Sequence, residues 1–282
     1  MFNATPPVSR FTLKKAALLK RIGIFNTPVF IPVFFQARSG STVLGETLST
    51  HAHCLSLNEA FINYRGKELP FDYKHFLKPP TEQHFYRHAL KGKYLTHTFL
   101  QFNEWYFPIY NKEYRDHDVV FSFIAQHFPG MVFISRRNQL KRIVSFLRSK
   151  ANSFWHETPN ATDSKIHSQL YLDVHQQFGS INNPHDGLLD YLNHTTTFLD
   201  TRLDIARAQI PNLLELVYED DIEPDVMIGV NKVLNHFKIP SSYKPLKVPL
   251  VKTSRGLQHD LENFDEVKAY LANTPYEWML ND

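Results

Sequence analysis

Short apolar runs rich in branched and aromatic residues alternate along this chain with longer stretches whose apolar positions recur every three or four residues. A run such as Val29–Gln36 does not alternate with polar residues, so both of its faces are expected to be buried. Strands buried on both faces and separated by helical patterns imply a parallel sheet with crossover helices. The predicted strands are Val29–Gln36, Cys54–Leu57, Tyr94–Thr98, Met131–Ser135 and Leu213–Tyr218. Helices are expected at Ser41–Thr50, Asp118–His127, Asn138–Lys150, Leu188–Gln209, Pro224–Phe237 and Gln258–Ala272. Pro224 is read as a first-turn proline, ahead of an apolar face of Val226, Val230, Val233 and Phe237.

Two stretches break the rhythm. Residues 58–93 and 152–186 are long, weakly periodic and rich in polar and aromatic residues. Loops of that length in a compact domain are usually working parts, and both are read as walls of an acceptor site. No linker or repeat divides the chain, so one domain over residues 1–282 is expected.

The chemistry gathers where two strands end. Phe35-Gln36-Ala37 runs into Arg38-Ser39-Gly40-Ser41-Thr42, and Ile134-Ser135 runs into Arg136-Arg137-Asn138 and a basic helix that carries Ser145. Each reads as a buried strand emptying into a helix N-terminus, where free N–H groups and the helix dipole favour an anion. In the first, Gly40 frees the backbone to wrap, Ser41 and Thr42 add hydroxyl donors, and Arg38 adds a bidentate cation. In the second, Arg137, Lys141, Ser145 and Arg148 share one helical face, with Leu140, Ile143, Val144 and Leu147 on the other. Two such sites in one domain point to a ligand with two anionic groups, such as a doubly phosphorylated or phosphosulfated nucleotide.

Composition narrows the classes. A net charge of +3 over 282 residues is too mild for a nucleic-acid binder, and suits basic residues gathered at one pocket. The single cysteine, Cys54, excludes a disulfide framework and a cysteine zinc site. The 15 histidines include no His-Glu-x-x-His pair, so no metal site is assigned. The longest apolar stretch, Ile22–Phe35, is short and holds Pro28 and Pro32, so no membrane span is expected and a cytoplasmic enzyme is the simplest reading. The basic segment Ser9–Ile22 reads as a surface helix, with a peripheral membrane contact as the other option.

On these residues the chain resembles the sulfotransferases, and bacterial carbohydrate sulfotransferases in particular. Arg38-Ser39-Gly40-Ser41-Thr42 is similar to their 5′-phosphosulfate-binding loop. Arg137-Asn138 with Ser145 is similar to their 3′-phosphate-binding motif, and Tyr218-Glu219-Asp220 to a strand end common among them. Lys252 and Arg255, in Lys252-Thr253-Ser254-Arg255, resemble the basic tail loop that closes on the nucleotide. The resemblance implies a P-loop-like three-layer α/β fold, a central parallel sheet flanked by helices. It also implies 3′-phosphoadenosine 5′-phosphosulfate as sulfuryl donor, no metal, and a small-molecule or glycan acceptor.

The reaction then requires a base for the acceptor's proton. Glu59, just after the second strand, resembles the acid of the carbohydrate enzymes; His97 resembles the Thr-His histidine of the cytosolic ones. Glu59 is favoured because its segment directly follows the phosphosulfate helix. Two other functions stay open. A nucleotide or small-molecule kinase would share the fold, although the loop lacks the earlier glycine and the lysine of a nucleoside-triphosphate loop. A non-catalytic nucleotide-binding protein would keep the pocket without turnover. The sequence leaves the oligomeric state open.

Overall fold

The computed structural model describes residues 29–57, 96–103, 117–152, 169–180, 183–241, 245–250 and 256–281. Five parallel strands form the sheet: β1 (Val29–Phe35), β2 (Cys54–Leu57), β3 (His97–Asn103), β4 (Met131–Ser135) and β7 (Leu213–Val217). Their spatial order is β2-β3-β1-β4-β7. The chain fills one side of β1 with β2 and β3, then crosses to the other side with β4. That change of direction makes the carboxyl ends of β1 and β4 the place where an open α/β sheet takes a ligand.

Alternation along the strands divides the core into two layers. Phe34, Leu100, Met131 and Phe133 pack on one face with Phe121 and Ile124 of α2 (His117–His127), and Leu199 and Ala206 of α4 (Gly187–Gln209). Ile31, Val33, Phe35, Val132 and Ile134 pack on the other with Leu44 and Leu48 of α1 (Ser41–Thr50), and Val226, Val230 and Val233 of α5 (Val226–His236). This is the expected three-layer α/β arrangement. Pro32, which cannot donate to a ladder, stands just before β4 joins β1 at Val33.

Several expected elements move. The third strand is His97–Asn103 rather than Tyr94–Thr98, because buried Phe99, Leu100 and Gln101 carry its pairing with β1 and β2. Helix α5 begins at Val226, since Asp225 caps it by accepting from the Met227 N–H at 2.9 Å, so Pro224 precedes the cap instead of opening the first turn. The single helix expected over Gln258–Ala272 is two, α6 (Leu257–Asp260) and α7 (Phe264–Leu271). The break follows from Leu261, which bridges to Leu170, and Asn263, whose amide both accepts from the Leu172 N–H and donates to its carbonyl.

Part of the second long stretch also differs from expectation. Residues 177–186 hold a hairpin, β5 (Gln177–Ser180) with β6 (Asn183–Asp186). Leu172, Val174 and Phe178 are buried in a third cluster with α3 (Gln139–Asn152), α4 and α7. This portion is core rather than an acceptor wall. Residues 58–93 and Ser9–Ile22 lie outside the described residues. Among the described residues no helix is long and apolar enough to cross a membrane.

Candidate functional site

The first junction is an open anion cradle. Arg38 and Gly40 have left-handed backbones, φ +71° and +83°, with Ser39 between them on the ordinary side of φ. The Ser39 N–H closes the turn onto the Gln36 carbonyl at 3.2 Å. Helix α1 starts on Gly40, which supplies no side-chain cap, and the first intrahelical bond runs from the Leu44 N–H to the Gly40 carbonyl at 3.1 Å. The amides of Ser41, Thr42 and Val43 therefore lack an intrahelical acceptor. Gly40 is also tightly enclosed: a Cβ there would stand 2.8 Å from both Ile222 Cγ2 and Tyr218 Cδ2. Ser39 is fully buried, and its Oγ has no hydrogen-bond partner.

The second junction carries an anion of its own. Glu219 accepts from the backbone N–H of Arg137 at 3.0 Å and of Asn138 at 2.9 Å, so a carboxylate sits on the N-terminus of α3. Asn138 completes the cap by accepting from the Lys141 N–H at 2.9 Å, while its amide donates to the Met279 carbonyl at 2.8 Å. This helix end, expected to meet a ligand anion, is capped by the protein's own carboxylate. Tyr218–Ile222, a π-helical turn after β7, brings Glu219 there. Asp221 pins that turn by accepting from the Val217 N–H at 2.8 Å and pairing with Lys232 at 2.6 Å.

Side chains nevertheless join the two junctions. Arg38 Nε donates to Ser145 Oγ at 3.0 Å, across 107 residues of sequence. The loop expected to hold one end of a nucleotide thus touches the helix expected to hold the other. Beneath them, Arg136 donates from Nη1 to the Arg38 carbonyl at 2.8 Å. Its guanidinium carbon lies 4.3 Å from the centre of the Tyr218 ring. Burial pulls the Arg136 pKa below the usual arginine value, while Tyr218 and Glu219 act in the opposite direction. A buried polar chain continues inward: Gln139 donates to Gln36 Oε1 at 2.9 Å and accepts from Arg142 Nε at 2.6 Å.

Other expected residues are placed differently. The Arg137 side chain is 55% exposed and pairs with Asp220 at 2.5 Å. Arg148 is buried and bonded to Asp260 at 2.6 Å, a tie between α3 and α6 rather than part of a basic face. His97 is not brought to the site. It opens β3, level with Val29 at the start of β1, whereas the Arg38 loop follows the end of that strand at Phe35. A seven-residue strand separates the two by roughly 20 Å. There His97 Nδ1 lies 2.8 Å from Thr96 Oγ1, and its pKa is lowered by burial first, then by His53 and His51. Glu59, Lys252 and Arg255 lie outside the described residues.

Two residues of this network stand within the sequence motifs but have no role assigned there, Arg136 and Glu219. Period-two alternation of β4 would have turned Arg136 to the side of Val132 and Ile134, beneath the loop, and Arg137 away from it. Glu219 carried no such signal, since its partners are backbone amides 82 and 81 residues away.

No family model and no curated protein sequence matches the chain. It is similar to the crystal structure of a sulfotransferase from Alicyclobacillus acidocaldarius, with 13% identity and a TM-score of 0.45. The alignment covers 90% of this chain and 94% of the other. At that level the likeness carries no argument about chemistry, which has to come from the site.

Proposed function

We propose that the protein is a sulfotransferase that uses 3′-phosphoadenosine 5′-phosphosulfate and acts on a hydroxyl group of a carbohydrate or glycolipid acceptor. The observation that carries this reading is the Arg38–Ser145 contact, which ties the loop after β1 to the basic helix. The residues present suit a phosphosulfate: a cation on a left-handed loop, a buried hydroxyl without a partner at Ser39, and first-turn amides that need an acceptor.

In this reading the acceptor oxygen attacks sulfur in line and forms the new S–O bond. The bond from sulfur to the 5′-phosphate oxygen breaks, and its electron pair leaves on adenosine 3′,5′-bisphosphate. Charge grows on that oxygen, so Arg38 and the amides of Ser41 and Thr42 bind more strongly in the transition state than in the ground state. Glu59, two residues past the end of β2, takes the acceptor proton. Ser145 and Arg137 hold the 3′-phosphate, and Arg137 leaves Asp220 to do so. Lys252 and Arg255 close over the nucleotide.

Calorimetry tests the donor. Adenosine 3′,5′-bisphosphate should bind without Mg²⁺ and more tightly than ATP. Tighter, Mg²⁺-dependent ATP binding would replace the reading by a kinase. Transfer of labelled sulfate from the donor to pooled glycans separates an enzyme from a nucleotide-binding protein without turnover.

A further inference from the structure

Arg136 is 5% exposed, and its placement is electrostatically costly. Its Nε is buried without a hydrogen-bond partner, and Glu219 Oε1 stands 4.0 Å away with both carboxylate oxygens already taken by backbone amides. Replacing such a buried pair as a whole by apolar side chains of similar volume is often neutral, whereas removing Arg136 alone leaves Glu219 without its buried cation. An ion pair is therefore not needed here for stability as such. What the guanidinium does hold is the carbonyl of Arg38, at 2.8 Å, on a residue in the left-handed region at φ +71°. A side-chain-bearing residue keeps that conformation only where its surroundings over-determine it. Behind the guanidinium, the Tyr218 ring also lies against Gly40, so one aromatic braces both the clamp and the loop.

We propose that Arg136 is a positioning residue. Its bond to the Arg38 carbonyl fixes residue 38 in the left-handed region and thereby aims the Arg38 side chain at the 5′ end of the donor. This rests on the donor reading above. Arg136 does not touch the donor; it acts through Arg38.

A double-mutant cycle with Arg136→Met and Arg38→Ala tests it, read by calorimetry with adenosine 3′,5′-bisphosphate and by thermal unfolding. Arg136→Met alone should weaken bisphosphate binding at least about tenfold in protein that is folded at the assay temperature, with a fall in melting temperature because the Arg38 carbonyl and Glu219 lose a buried donor. In the Arg38→Ala background the same substitution should cost less than about twofold, since the side chain being aimed is gone. Equal losses in both backgrounds, or no loss in the first, would overturn the proposal. Should Arg136→Met not fold, Arg136→Gln takes its place under the same criteria. Wild-type protein that binds no bisphosphate removes the donor reading and this inference together. Wild-type binding that is indifferent to residue 136 removes only this inference.

Discussion

The junctions after β1 and β4 look alike in sequence, each an apolar strand running into basic and small polar residues and then a helix. They differ in who supplies the negative charge. At α1 the helix begins on Gly40 with no side-chain cap, and its first amides have no intrahelical acceptor. At α3 the protein places Glu219 on the amides of Arg137 and Asn138, and Asn138 caps the next turn. A strand-to-helix motif thus announces an anion, but only the rest of the fold decides whether that anion is a ligand or a side chain. The closed junction serves the open one: it fixes α3, and α3 presents Ser145 to Arg38.

The sharpest way to break this contrast is to close the open end. Gly40→Ala forces a Cβ to 2.8 Å from Ile222 and Tyr218 at a φ of +83°. Backbone strain and overpacking together should cost roughly 2–4 kcal/mol, seen as a lower melting temperature with loss of bisphosphate binding. Unchanged binding and stability would mean that the loop does not need this backbone. The converse is to open the closed end. Glu219→Ala strips two amides of a charged acceptor and should cost about 1.5–3 kcal/mol in thermal unfolding. Added sulfate should then stabilise this variant more than the wild type, because α3 would present the same kind of end as α1. Equal sulfate responses would sink the comparison.

Most of the scaffold could be read from the chain because its central strands are buried on both faces. Val29–Phe35 and Met131–Ser135 declare themselves as apolar runs, the edge strand Leu213–Val217 as one interrupted by Glu215, and the leucine stripe of α4 as a helix. The third strand slipped because Tyr94-Leu95 and Phe99-Leu100 are both apolar, and only pairing with two neighbours selects the second. The hairpin at 177–186, with Gly, Asn, Pro and His in its strands, has no period-two signal at all. At the site, local signs such as Gly40 and Arg38 were visible, and the Arg–Ser spacing singled out Ser145, which contacts Arg38. What the motif spacing passes over, and only strand alternation distinguishes, is which cation is buried. Arg136 and Arg137 are adjacent in sequence, and strand alternation sends one under the loop and the other to Asp220.

That division predicts a modest, separable effect at Arg137. Its ion pair with Asp220 is half exposed, so Arg137→Ala should change stability by less than about 1 kcal/mol. Under the proposed role, affinity for adenosine 3′,5′-bisphosphate falls about tenfold while that for adenosine 5′-phosphate, which lacks the 3′ group, stays the same. Asp220→Asn should move bisphosphate affinity the other way by freeing the guanidinium. Equal losses for both nucleotides would return Arg137 to the surface.

The smallest effect belongs to the opposite end of the sheet. His97, beside His51 and His53, has a pKa below the ordinary histidine value of 6.5 because burial and two neighbouring imidazoles disfavour its charge. The unfolded chain therefore takes up the proton more readily than the folded one, and stability falls as unfolding is favoured by acid. The contribution of neutral His97 is full above the unfolded value and is lost as pH drops through the folded one. His97→Asn, which keeps a polar partner for Thr96, should flatten part of this acid loss. Melting temperatures at pH 8 and pH 5.5 measure it: the variant should gain on the wild type only at the lower pH. A His97→Asn protein that kept its stability but lost sulfate transfer would reassign the base to a residue some 20 Å of strand away from Arg38, which the parallel register of β1 and β3 makes unreachable without refolding the sheet.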